Sequence, residues 1–139
     1  MRRDAKLTEA VKALALEAGF ARTGVAPAGA VGGFDRFRVW LAEGLHADMA
    51  YLARGAELRA RPDRLVEGAR SVLCLAAAYA PADDDPPAGP RVARYARGRD
   101  YHRLLKRRCQ ALIGRLRRLV PSFRGRAFVD SAPVMERSL

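Results

Sequence analysis

Apolar side chains recur every three or four positions at the start of the chain. Leu7, Val11, Leu14 and Ala18 form one stripe, which predicts a helix from about Asp4 to Ala18 with Gly19 as its C-terminal stop. Phe20 to Ala26 then reads as a strand, closed by Pro27 and a Gly-rich turn at Gly29, Gly32 and Gly33. A second helix follows over about Phe34 to Glu43, with Phe34, Phe37, Trp40 and Leu41 on one face and Gly44 ending it. Met49, Tyr51 and Leu52 belong to a short helix capped by Asp48. Arg54 to Arg64 is polar and basic, broken by Pro62. Ser71 to Tyr79 is apolar on both faces, the pattern of an interior strand in a covered sheet. Pro81 to Pro90 holds three consecutive aspartates and four prolines and reads as a surface loop within one domain. Arg91 to Ala96 is extended or a strand. Asp100 caps a long helix from about Tyr101 to Val120, whose core stripe is Leu105, Cys109, Leu112, Leu116 and Leu119; Pro121 stops it. Arg126 to Asp130 is a last strand, and a helix start follows at Ser131-Ala132-Pro133. Strands alternate with helices. The predicted class is α/β, a mixed sheet flanked by helices, with residues 1–139 as a single domain.

The chain of 139 residues, half of them hydrophobic, is long enough to bury a core and too apolar for disorder to be the default. No apolar run approaches the roughly 18 residues that span a bilayer. The start, Met1-Arg2-Arg3-Asp4, lacks the apolar stretch of a signal peptide, so the expected location is the cytoplasm, with no membrane partner. Cys74 and Cys109 are far apart, match no zinc or iron–sulfur spacing, and are expected to be reduced core thiols; no metal site is predicted.

The net charge of +11 is unevenly placed. Arg91 to Arg126 carries 13 Lys and Arg against one acid, Asp100, a net +12, while the rest of the chain is at −1. Such a block suits a polyanion, most simply nucleic acid. It is equally the solvated helix face of an arginine-rich protein. Tyr95 and Tyr101, interleaved with Arg91, Arg94, Arg97 and Arg99, resemble a stacking surface for nucleic acid; the same rings could pack inward.

Asp130 ends an apolar run at the carboxyl end of a predicted strand, where open α/β sheets bind ligands. A desolvated carboxyl there could donate a proton. On spacing alone, the commoner role is to cap the helix expected after it. His102, beside Tyr101, could contact phosphate or polarise a substrate, or be a surface residue; neither it nor His46 has a partner at metal-ligand spacing. The glycines at 24 and 29–33 are not followed by the Lys-Ser/Thr of a phosphate loop.

Several stretches together resemble the N-terminal part of the epoxyqueuosine reductase family. They are Ala18-Gly19-Phe20 with Gly24-Val25-Ala26-Pro27, Met49 to Arg54, Gly68 to Val72, Arg94 to His102, and Val129 to Arg137. The last two are specific, and the order holds along nearly the whole chain. The resemblance implies a cobalamin-binding-type domain, in this chain incomplete, and reduction of the epoxide of epoxyqueuosine at the tRNA wobble position. In such enzymes two 4Fe–4S clusters pass electrons to cobalamin. It implies that Asp130 is the proton donor and lies in the cobalamin site with Tyr95, Arg97 and Arg54. Arg137 would lie near substrate or tRNA, and the basic helix, with Arg107 and Arg118, would meet tRNA phosphates.

The family continues into a ferredoxin-like domain with eight cluster-binding cysteines. This chain has two cysteines, so it supplies no ligand set for either cluster. The expectation is a truncated reductase, inactive alone or completed by an iron–sulfur half, with exposed apolar edges that invite self-association. The alternatives are a non-catalytic basic RNA-binding module and a degenerate fragment.

Overall fold

The computed structural model describes residues 5–79, 93–96 and 98–139. Helix α1 (Ala5–Glu17) ends as its sequence predicts. Gly19 takes φ +88°, and its amide bonds to the Leu16 carbonyl at 2.9 Å while the Phe20 amide bonds to that of Ala15 at 3.3 Å. This pair of bonds satisfies the last carbonyls and needs a left-handed residue, which glycine adopts without a Cβ clash.

Strands β1 (Arg22–Pro27) and β2 (Ser71–Ala76) form a two-stranded sheet. Ala21 donates to Ala76 at 2.8 Å and Ala28 to Arg70 at 3.1 Å, so the early end of one strand faces the late end of the other: the pair is antiparallel. The α/β class holds. β2 departs from its expectation, because its four central residues are half-buried and its ends exposed. A strand apolar on both faces is not thereby covered on both faces. Arg126–Asp130 is not a strand among the described residues. The stretch expected to extend over Arg91–Ala96 is described from Ala93, and Arg94–Ala96 is a 3₁₀ turn. The acidic, proline-rich loop lies outside the described residues.

The chain divides into two compact units, each built from several segments. The first comprises residues 1–23, 75–123 and 127–130. Its core is Ala15, Phe20, Cys109, Leu112, Ile113, Leu116 and Val129, all at most 9% exposed. Four of these come from one long helix, Tyr101–Leu119, named α5 below. The predicted stripe is therefore right at Cys109, Leu112 and Leu116, while Leu119 at the end is exposed. Two arginines of this helix tie it to α1: Arg108 donates to the Gly19 carbonyl at 3.2 Å and Arg115 pairs with Glu17 at 3.1 Å.

The second unit comprises residues 24–74, 124–126 and 131–139. It holds α2 (Phe34–Ala42), α3 (Ala50–Arg54), α4 (Ala56–Ala60) and 3₁₀ turns at Pro62–Arg64 and Glu136–Ser138. The aromatic face of α2 is a row of rings, Phe34–Phe37 at 6.2 Å, Phe37–Trp40 at 5.9 Å and Trp40–His46 at 6.1 Å. Asp48 does not cap α3; Met49 occupies that position without a side-chain bond. Pro62 starts a 3₁₀ turn, and the basic stretch before it contains α4, a helix too short to show a periodicity. No helix begins at Ser131: the backbone bends there, and only the 3₁₀ turn at Glu136 follows.

Candidate functional site

Asp130 follows the buried Val129 and takes φ +49°. Aspartate is among the few residues that tolerate this left-handed conformation, and residues held there often belong to functional sites. With no helix behind it, Asp130 caps nothing. Its carboxylate instead accepts a hydrogen bond at Oδ2 from the Tyr101 hydroxyl. His102 Nε2 stands 3.6 Å from the same oxygen.

The start of α5 organises these partners. Asp100 is its N-cap, accepting from the His102 amide at 3.0 Å as the sequence predicts. The same Oδ1 is 2.8 Å from His102 Nδ1. The imidazole and amide bonds to His102 hold the Asp100 carboxyl below its ordinary range, so it is an acceptor only and Nδ1 carries the proton. Nε2 is then the end turned toward Asp130. The Tyr101 and His102 rings stack at 4.2 Å. The bond to Asp130, then burial and the neighbouring negative charge, push the Tyr101 hydroxyl up to about 12, so it remains a donor across the physiological range.

Aromatic rings continue away from the carboxylate. Tyr95 meets Tyr101 edge-on at 6.2 Å, and Tyr79 meets Tyr95 at 6.5 Å. Tyr95 is 56% exposed and so points outward. The side chain of Asp130 is itself 57% exposed. This corrects the expected desolvated carboxyl: the residue is held by hydrogen bonding, not by burial.

The structure thus brings Tyr95, Tyr101, His102 and Asp130 together in the first unit. Arg107 and Arg118 are exposed further along α5. Arg54, exposed at the end of α3, and Arg137, exposed in the last 3₁₀ turn, belong to the second unit. Arg97 lies outside the described residues. Both cysteines are free thiols, Cys109 buried and Cys74 half-buried, and burial pushes both thiols up. Among the described residues no three His, Cys, Asp or Glu side chains are grouped to hold a metal ion, and no helix is long and apolar enough to cross a membrane. Sequence reasoning missed Tyr101 as the partner of Asp130, because the two are 29 positions apart. The available signal was the run Asp100-Tyr101-His102, a cap followed by two hydrogen-bonding rings.

Residues 59–131 match the family model described as epoxyqueuosine reductase QueG, DUF1730, a span that holds Asp100, Tyr101, His102 and Asp130. The epoxyqueuosine reductase of Xanthomonas campestris pv. campestris is 44% identical over 138 residues, covering 93% of this chain and 38% of that protein. That of Pseudomonas aeruginosa is 37% identical over 141 residues, covering 97% and 39%. The fold matches the structure of epoxyqueuosine reductase from Streptococcus thermophilus with a TM-score of 0.74 at 21% identity, over 96% of this chain and 36% of that one. It also matches, with a TM-score of 0.75 at 24% identity over 95% and 36%, an epoxyqueuosine reductase crystallised with an epoxyqueuosine-modified tRNA-Tyr stem loop. The chain spans little more than a third of the length of these relatives. Over that third, the family match includes the carboxylate and the helix start that holds it, and the chain belongs to the epoxyqueuosine reductase QueG family.

Proposed function

We propose that this chain is the acid-bearing N-terminal portion of an epoxyqueuosine reductase, acting on tRNA with cobalamin and an iron–sulfur half carried outside these 139 residues. The observation that carries the reading is Asp130: a left-handed turn fixes its backbone, the Tyr101 hydroxyl fixes one carboxyl oxygen, and the rest of the carboxyl faces solvent. Such a group can meet a substrate without rearranging, which is what proton donation to a departing oxygen requires.

The tyrosine row suits cobalamin, a large flat group with apolar faces. Tyr95 offers an exposed ring edge-on to Asp130's own partner, Tyr101. Tyr95 would hold the group; Arg97 and Arg54 are assigned to it by the family resemblance and by nothing else. When bound, cobalamin would supply reducing electrons at cobalt. The clusters are another matter: two 4Fe–4S centres need eight thiolates, and this chain has two cysteines, one of them buried in the core.

The tRNA reading rests on α5. Arg103, Lys106, Arg107, Arg117 and Arg118 are exposed. At 100° per residue they fall within about 120° of one another, a cationic stripe roughly 22 Å long. The same stripe would serve a non-catalytic RNA-binding module, and cobalamin separates the two. Titrating the chain with hydroxocobalamin should give saturable spectral change that Tyr95→Ala weakens. With titanium(III) citrate as electron source, Asp130→Asn should abolish reduction of an epoxyqueuosine stem loop. Salt-dependent tRNA binding with no cobalamin binding would overturn the reductase reading in favour of the module.

A further inference from the structure

Reducing an epoxide to an alkene fixes a proton count. Both C–O bonds break, a C=C bond forms, two electrons enter, and the oxygen leaves as water. That oxygen needs two protons. The proposed function, on which this inference rests, provides one donor, Asp130, and a carboxyl holds one proton at a time. A second proton has to reach the same place.

Two groups adjoin the Asp130 carboxylate among the described residues, Tyr101 and His102. Tyr101 keeps its proton up to about 12 and so serves as a fixed strut. His102 has the geometry of a carrier. Its Nδ1–H is bound by Asp100 at 2.8 Å, and the capping bond from its amide at 3.0 Å keeps that same oxygen in place, so the ring cannot turn without losing the Nδ1 bond. Stacking on Tyr101 fixes its plane. Nε2 therefore faces Asp130 Oδ2 at 3.6 Å, slightly beyond direct hydrogen bonding and within reach of one small side-chain movement or one bridging water. The imidazole is 41% exposed, open to solvent on its free side. The charged or titratable groups around it are Asp100, Tyr101 and Arg103 on its own helix and Asp130 from the returning segment, with Tyr95 bearing on Tyr101 from the preceding 3₁₀ turn.

We infer that His102 reloads Asp130. After Asp130 has given its proton to the departing oxygen, the imidazolium passes one from Nε2 to Oδ2, and the neutral ring, still tied to Asp100 through Nδ1–H, takes the next proton from solvent. The electron pair comes from a reduced corrinoid; the relay moves protons only. Asp100 is a positioning residue, acting through the ring. Imidazole is the ordinary side chain suited to this exchange near neutral pH.

The test reads the relay apart from turnover. With ¹⁵N-labelled histidine the chain has two imidazoles, and His102→Gln assigns the resonances. The expected spectrum for His102 is the Nδ1–H form when neutral, with an Nε2 resonance moved by Asp130→Asn and a mixed tautomer in Asp100→Asn, which keeps a capping oxygen. An Nε2–H ring indifferent to Asp130→Asn overturns the inference. In single-turnover reduction of an epoxyqueuosine stem loop with cobalamin and titanium(III) citrate, His102→Gln should slow the reaction by roughly 10²-fold. The loss should grow with pH, and added imidazole should restore part of the rate. If Asp130→Asn abolishes reduction while His102→Gln leaves rate and pH profile unchanged, the relay fails and the acid stands. If Asp130→Asn is without effect, the proposed function fails. If the unmodified chain does not turn over, that accords with a reductase completed by a further half, and the NMR result decides the relay.

Discussion

Asp130 shows how a residue's role can depend on neighbours far from it in sequence. Sequence alone favours a cap, because capping chemistry is local and the pattern after Asp130 reads as a helix start. The bond from Tyr101, 29 positions earlier, is invisible to any local pattern. Asp100 is the opposite case: its cap acts two residues ahead, and it is legible. The Tyr101–Asp130 bond makes an alkaline prediction. Tyr101 titrates near 12 instead of its ordinary 10, so the folded state keeps a proton the unfolded chain loses. Its contribution to stability is complete below pH 10 and is lost as pH rises from 10 to about 12. Tyrosinate absorbance should show the late ionisation of Tyr101, and Asp130→Asn should move it down toward 10. Asp100 has the opposite sign: its contribution is present above the ordinary carboxylate range and lost as acid carries pH down through its lowered value.

Elements are legible where their signals are strong and self-contained. Helix α5 combines a cap, a stripe and a proline stop, and it runs over Tyr101–Leu119, one residue short of the prediction. Arg126–Asp130 is not a strand among the described residues, because an apolar run does not by itself specify a regular ladder. Packing of α5 in its unit gives a stability prediction. Leu112 is its most deeply buried large side chain at 2% exposure, and Leu112→Ala should cost about 2–5 kcal/mol in chemical denaturation. In the second unit, a Cβ on Gly55 would stand 3.1 Å from Pro133 Cβ and 3.4 Å from the Tyr51 carbonyl. The proline ring and the helix backbone give little, so Gly55→Ala should lower the melting temperature although glycine-to-alanine changes in helices ordinarily raise it. An unchanged or higher melting point would mean that the neighbours yield freely.

The charge block looks uniform in sequence and divides in structure. Arg108 and Arg115 hold α5 to α1, whereas Arg103, Lys106, Arg107, Arg117 and Arg118 face outward. Charge reversal at Arg107 and Arg118 should weaken tRNA binding and flatten its salt dependence, by about 0.7–0.9 in log–log slope for each phosphate no longer neutralised. Replacing Arg115 should instead reduce stability with little change in that slope. Val39, Leu45 and Tyr51 in the second unit are more than half exposed, and association that grows with concentration in size-exclusion is the expected outcome. Helix α5 carries the chain about 28 Å away from Tyr101, yet Asp130 returns to that tyrosine. Ten residues from Val120 make the return, and even fully drawn out they reach only about 33–36 Å. Part of that length closes a turn, with the Phe123 amide bonding to the Val120 carbonyl at 2.9 Å, so the length of the return is matched to the length of the helix. Removing one residue between Phe123 and Ala127 should pull the carboxylate off its phenol and abolish the late tyrosine ionisation, while adding one should leave slack and be borne far better.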